Sequence, residues 1–144
     1  MNERDEELLV GYGYSDWGTD SQTRRSVTEY ILLSNGSPIA WRSKLQGAVT
    51  PSSSEAEWTA MAYGMRHFIF IRGILGGIGI LQDQTPWFCD NRGAIQVGSI
   101  TGFNGRTKCV DMKIKCTREY VDQGIFHIEY IPTLKQLAEV LTKS

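Results

Sequence analysis

Long apolar runs, closely spaced cysteine pairs and a basic, apolar first segment are missing from this sequence. Its longest apolar stretch, Phe68 to Leu81, is interrupted by Arg72 and by glycines, so it falls short of the ~20 residues that cross a bilayer. The cysteines lack the CxxC spacing of a zinc site. The first seven residues are acidic, whereas a signal peptide begins with basic residues and an apolar run. We therefore expect an intracellular protein, in cytoplasm or nucleus, that is not secreted and has no membrane partner.

The composition is that of a globular protein. With 144 residues, of which 41% are hydrophobic and 22% charged, the chain is expected to form one domain over 1–144, with 1–7 as a flexible acidic N-terminus. The net charge of −1 alone argues against nucleic-acid binding, but residues 21–50 carry four basic side chains and one acidic. If several carboxylates gather at a metal site, the remaining surface is mildly basic, as in enzymes that follow a phosphate backbone.

The first third of the chain predicts three strands. Apolar residues are frequent over Leu8–Asp16, Ser26–Ser34 and Pro38–Ser43, with short polar segments between them. Asn35-Gly36 between the second and third segments is the strongest short-range hairpin signal. These strands are expected to form an antiparallel meander.

The remaining two thirds predict helices alternating with two further strands. A helix should begin near Ser52 and end at the glycines at 73, 76, 77 and 79. The elements expected after it are a strand at Pro86–Asp90, a short helix at Asn91–Gly98, a helix at Thr107–Gln123, a strand at Phe126–Ile131 and a helix at Thr133–Lys143. The order β-β-β-α-β-α-α-β-α indicates an α/β fold.

Acidic residues lie where the strands of such a fold bring ligands together. Asp16 ends the first strand and Asp90 the fourth, Glu57 lies in the first turns of the long helix, and Glu139 lies in the last helix. Carboxylates gathered from distant segments repel one another unless a divalent cation neutralises them, and Mg²⁺ or Mn²⁺ suits hard oxygen ligands. Two ions ~4 Å apart support phosphodiester hydrolysis. Metal-assisted hydrolysis of nucleic acid is the predicted reaction class.

Two of these carboxylates have a capping alternative. With Ser52 as N-cap, Glu55 completes a Ser-x-x-Glu capping box and Glu57 points to another face. With Ser54 as N-cap, Glu57 becomes the capping residue instead. Asp90 is also placed to cap the short helix that follows it, a role compatible with metal binding.

Seven short stretches follow the order and spacing of one protein family. They are Gly-Tyr-Ser-Asp-Trp (13–17), Arg-Arg-Ser-x-Thr-x-Tyr (24–30), Pro-Ile-Ala-Trp-Arg-Ser-Lys (38–44), Ser-Ser-Ser-Glu-Ala-Glu-Trp (52–58), Cys-Asp-Asn (89–91), Gly-Arg-Thr-Lys (105–108), and Tyr-Ile-Pro-Thr with Gln-Leu-Ala-Glu-Val-Leu-Thr-Lys (130–143). From Leu9 to Lys143 the chain resembles the ribonuclease H domain that follows reverse transcriptase in Ty1/copia-type retrotransposon polyproteins.

The resemblance implies a fold, an activity and partners. The fold would be a five-stranded mixed sheet, its first three strands antiparallel, flanked by helices. The activity would be endonucleolytic cleavage of the RNA strand of an RNA–DNA hybrid with two Mg²⁺ or Mn²⁺ ions, and a reverse transcriptase domain of the parent polyprotein would be a partner. Carried over by position, the metal ligands and catalytic residues would be Asp16, Glu57, Asp90 and Glu139.

The first and last of these positions depart from the family pattern. An ungapped alignment on Trp17 places Tyr14 at the first carboxylate position, whereas an alignment on Tyr-Ser-Asp places Asp16 there. Glu139 stands where the family has aspartate. These departures favour the alternative that the chain is a catalytically impaired ribonuclease H-like module, which would bind nucleic acid or act as a protein scaffold.

Contacts to the hybrid follow from the same comparison. Hybrids are recognised through their shallow minor groove and 2′-hydroxyls, and helix N-termini suit phosphate oxygens. The serines at the start of the long helix are candidates, with capping as their alternative, and the two residues after Asp90 adjoin the RNA strand. The candidate nucleic-acid contacts are Ser52, Ser53, Ser54, Asn91, Arg92, Arg24, Arg25, Lys44, Arg106 and Lys108.

Overall fold

The computed structural model describes residues 8–18, 20–47, 49, 52–92, 94–95 and 108–135. Residues 1–7, Arg106, Glu139 and most of the predicted last helix lie outside this part of the chain, and a single domain over 1–144 stays a prediction. The elements are β1 Leu9–Asp16, β2 Val27–Ser34, β3 Ser37–Leu45, α1 Ser53–Gly77, β4 Thr85–Cys89, α2 Lys108–Asp122, β5 Phe126–Tyr130 and a 3₁₀ turn Thr133–Lys135.

The sheet has five strands in the order β3-β2-β1-β4-β5. The pairs β1–β2 and β2–β3 are antiparallel, and β1–β4 and β4–β5 are parallel. Asn35 and Gly36 have φ of 49° and 75°, which is the left-handed backbone that a two-residue hairpin turn requires. The predicted α/β fold, a mixed sheet with three antiparallel strands first, is confirmed.

Helix α1 begins after Ser52, the N-cap that the sequence predicts. The Ser52 Oγ accepts a hydrogen bond from the backbone N–H of Glu55 at 3.2 Å, and it donates one to Glu55 Oε2 at 3.2 Å. Glu55 is therefore the capping acid. Glu57, two residues further on, is left to face another part of the molecule.

Helix α1 ends within the group of glycines that the sequence predicts, although not at the first of them. The helix continues through Gly73 and Gly76 to Gly77, and the turn comes at Gly79, whose φ is +88°. An interior glycine costs a helix only about 1 kcal/mol. Ile71 and Leu75 pack against the core, and that burial carries the helix past its first glycine.

The core side chain that orders the sheet beneath α1 is Trp87 of β4, which is fully buried. Its ring meets Phe68 and Phe126 edge-on at centroid distances of 6.2 and 6.5 Å. A Cβ atom added at Gly13 or Gly64 would overlap the indole ring. The close approach of β1, α1 and the indole therefore requires residues without side chains at these positions.

Arg72 ties the segment before β4 to α1. Its guanidinium donates hydrogen bonds to the carbonyl of Asp83 at 2.7 Å, to Thr85 Oγ1 at 2.6 Å and to the carbonyl of Gln82 at 3.3 Å. The start of β4 is thereby held against the helix.

Among the described residues, neither helix combines the length and apolar character that crossing a membrane needs.

Candidate active site

The carboxyl ends of β1 and β4 meet at one edge of the sheet. Gly13 pairs with Cys89 in the parallel ladder, so the register places Tyr14 level with Asp90 just beyond the last pair. A cleft of about 450 Å³ opens there, at the place where parallel strands usually present ligand-binding groups. Its lining residues are Tyr14, Ser15, Ser53, Glu57, Asp90, Asn91, Arg92, Tyr130 and Thr133.

Glu57 enters this cleft from the second turn of α1. Its side chain is only 4% exposed. The backbone N–H of Ser15, near the end of β1, donates a hydrogen bond to Glu57 Oε1 at 2.8 Å. The strand therefore fixes the orientation of a carboxylate that the helix supplies.

The electrostatics of Glu57 oppose its ionised form. Burial raises the pKa of Glu57 well above its ordinary value of 4.5, and the negative charge of Asp90 raises it further. The hydrogen bond from Ser15 acts in the opposite direction but does not compensate. Two acids held together in this way are a recurring mark of functional sites, and a cation would relieve their repulsion.

Cys89 contributes a thiol to the same cluster. The ligand atoms of Glu57, Cys89 and Asp90 lie within 4.8 Å of one another. The Cys89 Sγ is 3.9 Å from Glu57 Oε2, and burial, together with the charge of Glu57, raises the pKa of the thiol above its ordinary value. A cysteine sulfur is a soft ligand, whereas the two carboxylates of the cluster offer hard oxygen atoms. The ligand set is thus two carboxylates, which suits a hard divalent ion.

The structure does not bring Asp16 together with Glu57 and Asp90. Asp16 is the last residue of β1 and pairs with Val27, and it belongs neither to the acidic cluster nor to the lining of the cleft. Tyr14, two residues earlier on the same strand face, lines the cleft. The cleft thus contains Tyr14, the residue that the ungapped alignment on Trp17 places at the first carboxylate position.

Proteins similar to this chain come from plant transposons. The chain is 32% identical over 136 residues, 94% of its length, to the retrovirus-related Pol polyprotein from transposon TNT 1-94 of Nicotiana tabacum. The identity and coverage are the same for the polyprotein from transposon RE2 of Arabidopsis thaliana. The chain spans only 10% and 9% of these two relatives. No protein-family model matches.

Comparison with solved structures identifies proteins that have the same fold as this chain. LC11-RNase H1, isolated from compost, matches with a TM-score of 0.68 at 12% identity, over 94% of this chain and 92% of that one. The foamy viral protease-reverse transcriptase in complex with RNA/DNA hybrid matches with a TM-score of 0.63 at 12% identity, over 92% of this chain and 18% of that one. The chain therefore has the ribonuclease H-like fold and is similar to a segment of transposon Pol polyproteins. The family resemblance read from the sequence is confirmed.

In this ribonuclease H-like domain Asn91 caps the short helix after β4. Its Oδ1 accepts a hydrogen bond from the backbone N–H of Ala94 at 3.0 Å, and its carbonyl accepts one from the backbone N–H of Ile95 at 3.2 Å. The helical residues 92, 94 and 95 match the start of the helix predicted over 91–98. The guanidinium of Arg92 lies 4.3 Å from the centroid of the Tyr130 ring, at the rim of the cleft.

The predicted nucleic-acid contacts of the ribonuclease H-like domain separate into groups. Ser53 is exposed and lines the cleft, whereas Ser52 caps α1 and Ser54 is half-buried. Arg24 is exposed in the loop before β2, with a φ of 60°. Arg106 and the side chain of Lys108 lie outside the described residues.

Two further candidates, Arg25 and Lys44, line a different cavity of the domain.

The cleft also contains residues that were not predicted as site residues. Tyr130 and Thr133 follow from strand order, because β5 runs parallel to β4 and ends at the same edge of the sheet. Cys89 follows from its place directly before Asp90 at the end of β4.

Proposed function

We propose that this ribonuclease H-like domain hydrolyses the RNA strand of RNA–DNA hybrids as a divalent-metal-dependent endonuclease. The proposal rests on one observation above all. Glu57 and Asp90, 33 positions apart in sequence, face each other in the cleft at the carboxyl ends of β1 and β4, close enough for the charge of one to raise the pKa of the other.

Two ions, Mg²⁺ or Mn²⁺, would be bound by Glu57 and Asp90. Glu139 is a further proposed ligand. Bound divalent ions supply Lewis-acid stabilisation of phosphodiester hydrolysis. The contribution of the chain is to pre-position the ligands: the N–H of Ser15 orients Glu57, and the thiol of Cys89 donates toward its other oxygen. The donor set and its unfavourable charge fit a hard divalent cation.

The proposed substrate and partner follow the relatives. The foamy viral structure and a further LC11-RNase H1 structure each contain an RNA/DNA hybrid. In this domain Ser53, Asn91 and Arg92 line the cleft and offer hydroxyl, amide and guanidinium groups to a sugar–phosphate backbone. A reverse transcriptase domain in a parent polyprotein is the proposed protein partner, and an intracellular location remains a prediction.

The test is cleavage of an end-labelled RNA–DNA hybrid in Mg²⁺ and in Mn²⁺. The Asp90→Asn variant should lose at least about 100-fold in rate, since removing one preorganised electrostatic group from an active site costs ~10²–10³. Asp122→Asn, which removes an exposed carboxylate at the end of α2, is the matched control and should cut at the wild-type rate.

Hybrid binding is measured in parallel in the absence of metal. Cleavage that is equal in wild type and Asp90→Asn would contradict the assigned site. Binding without cleavage by the wild type would instead support the catalytically impaired module.

A further inference from the structure

The last turns of α1 are apolar on the side that faces away from the core. Phe70, Ile74 and the C-cap residue Ile78 recur at every fourth position, and each is more than half exposed. Phe68 and Leu75, on the opposite side of the same turns, pack in the core. A helix that is apolar all round is normally buried all round. The exposed side of α1 therefore has the composition of an interface.

Two glycines lie on the same exposed side of the helix. A Cβ atom added at Gly73 or Gly77 would meet no atom within 4 Å in the described part of the chain. Packing among the described residues therefore does not require glycine at either position, although glycine is a weaker helix former than alanine. Small residues on a helix face let a second helix approach its backbone closely. We refer to Phe70, Gly73, Ile74, Gly77 and Ile78 as the α1 stripe.

The area of the α1 stripe matches what a stable dimer needs. Ile80 is 41% exposed and Leu81 is 87% exposed, so both extend the apolar surface beyond the end of the helix. If a large apolar residue offers roughly 150–250 Å² when fully exposed, the stripe with these two residues exposes about 500 Å². A standard interface buries about 800 Å² per partner, of which about 65% is apolar in homodimers. The two apolar areas therefore agree.

The α1 stripe is free of charges that would oppose its own copy. Between residues 68 and 81 the sequence contains a single charged residue, Arg72. Its guanidinium donates hydrogen bonds to the carbonyls of Gln82 and Asp83 and to the hydroxyl of Thr85, so it is directed toward its own chain. A two-fold interface brings the same surface of both copies together. An uncharged stripe meets its copy without like-charge repulsion.

We propose that the α1 stripe is the interface of a homodimer, in which it packs against the same stripe of a second copy of this chain. Ile74, at the centre of the stripe, lies next to the Ile74 of the second copy, and Gly73 and Gly77 let the two helices approach closely. Glu57 is ~26 Å away along the helix axis. The acidic clefts of both copies therefore stay open, and the inference is independent of the proposed nuclease.

The test is the mass of the whole chain in solution, measured by sedimentation equilibrium at about 1–200 μM. The wild-type mass should rise with concentration from the 16.2 kDa of one chain toward twice that value. Ile74→Glu and Ile74→Lys each place like charges together and should each weaken dimerisation at least about 10-fold. An equimolar mixture of these two variants should recover dimers, because opposite charges then meet. Met112→Glu, which charges an exposed apolar position on α2, is the matched control and should change dimerisation less than about twofold.

Gly73→Ala separates the interface from the fold. The added methyl group has free space in a single chain, and alanine is the better helix former. The urea midpoint, measured at a concentration where the wild type is monomeric, should therefore rise. The same methyl group holds two packed helices apart, so dimerisation should weaken about threefold or more. Circular dichroism checks the fold of every variant, and Gly73→Ala decides the outcome if the Ile74 variants do not fold.

Several outcomes would overturn the proposed dimer. A wild type that keeps the mass of one chain throughout would leave the α1 stripe to a partner of different sequence, such as a reverse transcriptase domain. A mass that rises past two chains without a plateau would indicate nonspecific aggregation. Equal weakening by Met112→Glu and Ile74→Glu, or a mixture of the Ile74 variants that does not associate, would also contradict the proposal. Cleavage is measured separately, so the dimer and the proposed nuclease fail independently.

Discussion

Helix α1 serves two regions with opposite energetics. Along its middle, Met61, Met65 and Phe68 are buried among apolar side chains around Trp87, where close packing lowers the free energy of the folded state. One turn from its start, Glu57 is equally buried but faces Asp90, and its ionisation opposes folding. The middle of the helix therefore stabilises the fold, whereas its start holds a carboxylate whose charge lowers the stability of the folded state. Functional sites commonly carry such a local loss of stability.

The largest effect should come from breaking the stabilising region. Trp87→Ala removes the fully buried indole that packs on Gly13 and Gly64, and large-to-small changes of this kind cost ~3–5 kcal/mol. Urea unfolding measures the loss. Trp41→Ala is the matched control, because Trp41 is 62% exposed on β3 and its truncation should cost less than about 0.5 kcal/mol. Equal losses in the two variants would contradict the central role of Trp87.

The next largest effect should come from changing the number of carboxylates in the cleft that contains Glu57 and Asp90. Tyr14→Asp places a carboxylate level with Asp90, and we expect metal-dependent hybrid cleavage to rise about 10-fold, corresponding to ~1.4 kcal/mol of added transition-state stabilisation. Asp16→Asn should change the rate less than twofold, since Asp16 is not part of the cluster. Cleavage rates at saturating Mn²⁺ measure both. Loss of activity in Asp16→Asn with no gain in Tyr14→Asp would place the first ligand at Asp16.

The smallest change in stability should come from removing the buried charge of Glu57. Glu57→Gln keeps the shape of the side chain without its charge, so it should stabilise the metal-free protein by about 1 kcal/mol at pH 7 while abolishing cleavage. Because the folded pKa of Glu57 is raised, folding is favoured below the ordinary value of 4.5 and loses this contribution as pH rises through the folded pKa. The advantage of Gln should therefore vanish near pH 4. An advantage that is constant between pH 4 and 7 would exclude charge burial as its cause.

Most of the fold follows from local signals in the sequence. The Asn35-Gly36 turn and the Ser52 N-cap have local physical causes, and both are present in the structure. Helix α1 ends within the predicted group of glycines, but Gly73 lies inside the helix, because packing of Leu75 against the core offsets the helix penalty of that glycine. Local propensity does not include that tertiary term.

The candidate site was predictable in part. The positions of Glu57 and Asp90 follow from a helix start and a strand end, and the structure brings them together. The choice between Tyr14 and Asp16 depends on the register of β1 against β4, a pairing between segments more than 70 positions apart. Gln46, which follows β3, donates a hydrogen bond to the carbonyl of Ala56 in α1, and no short motif marks that contact.

The central position of β1 has a consequence for synthesis on the ribosome. The β1–β3 meander is complete once residue 45 has emerged, but the partner on the other side of β1 is not made until residues 85–89. During that interval one edge of an apolar strand is open to pairing with other chains. Because α1 is synthesised within the interval, its early docking would shield the apolar face of the meander while the edge awaits β4.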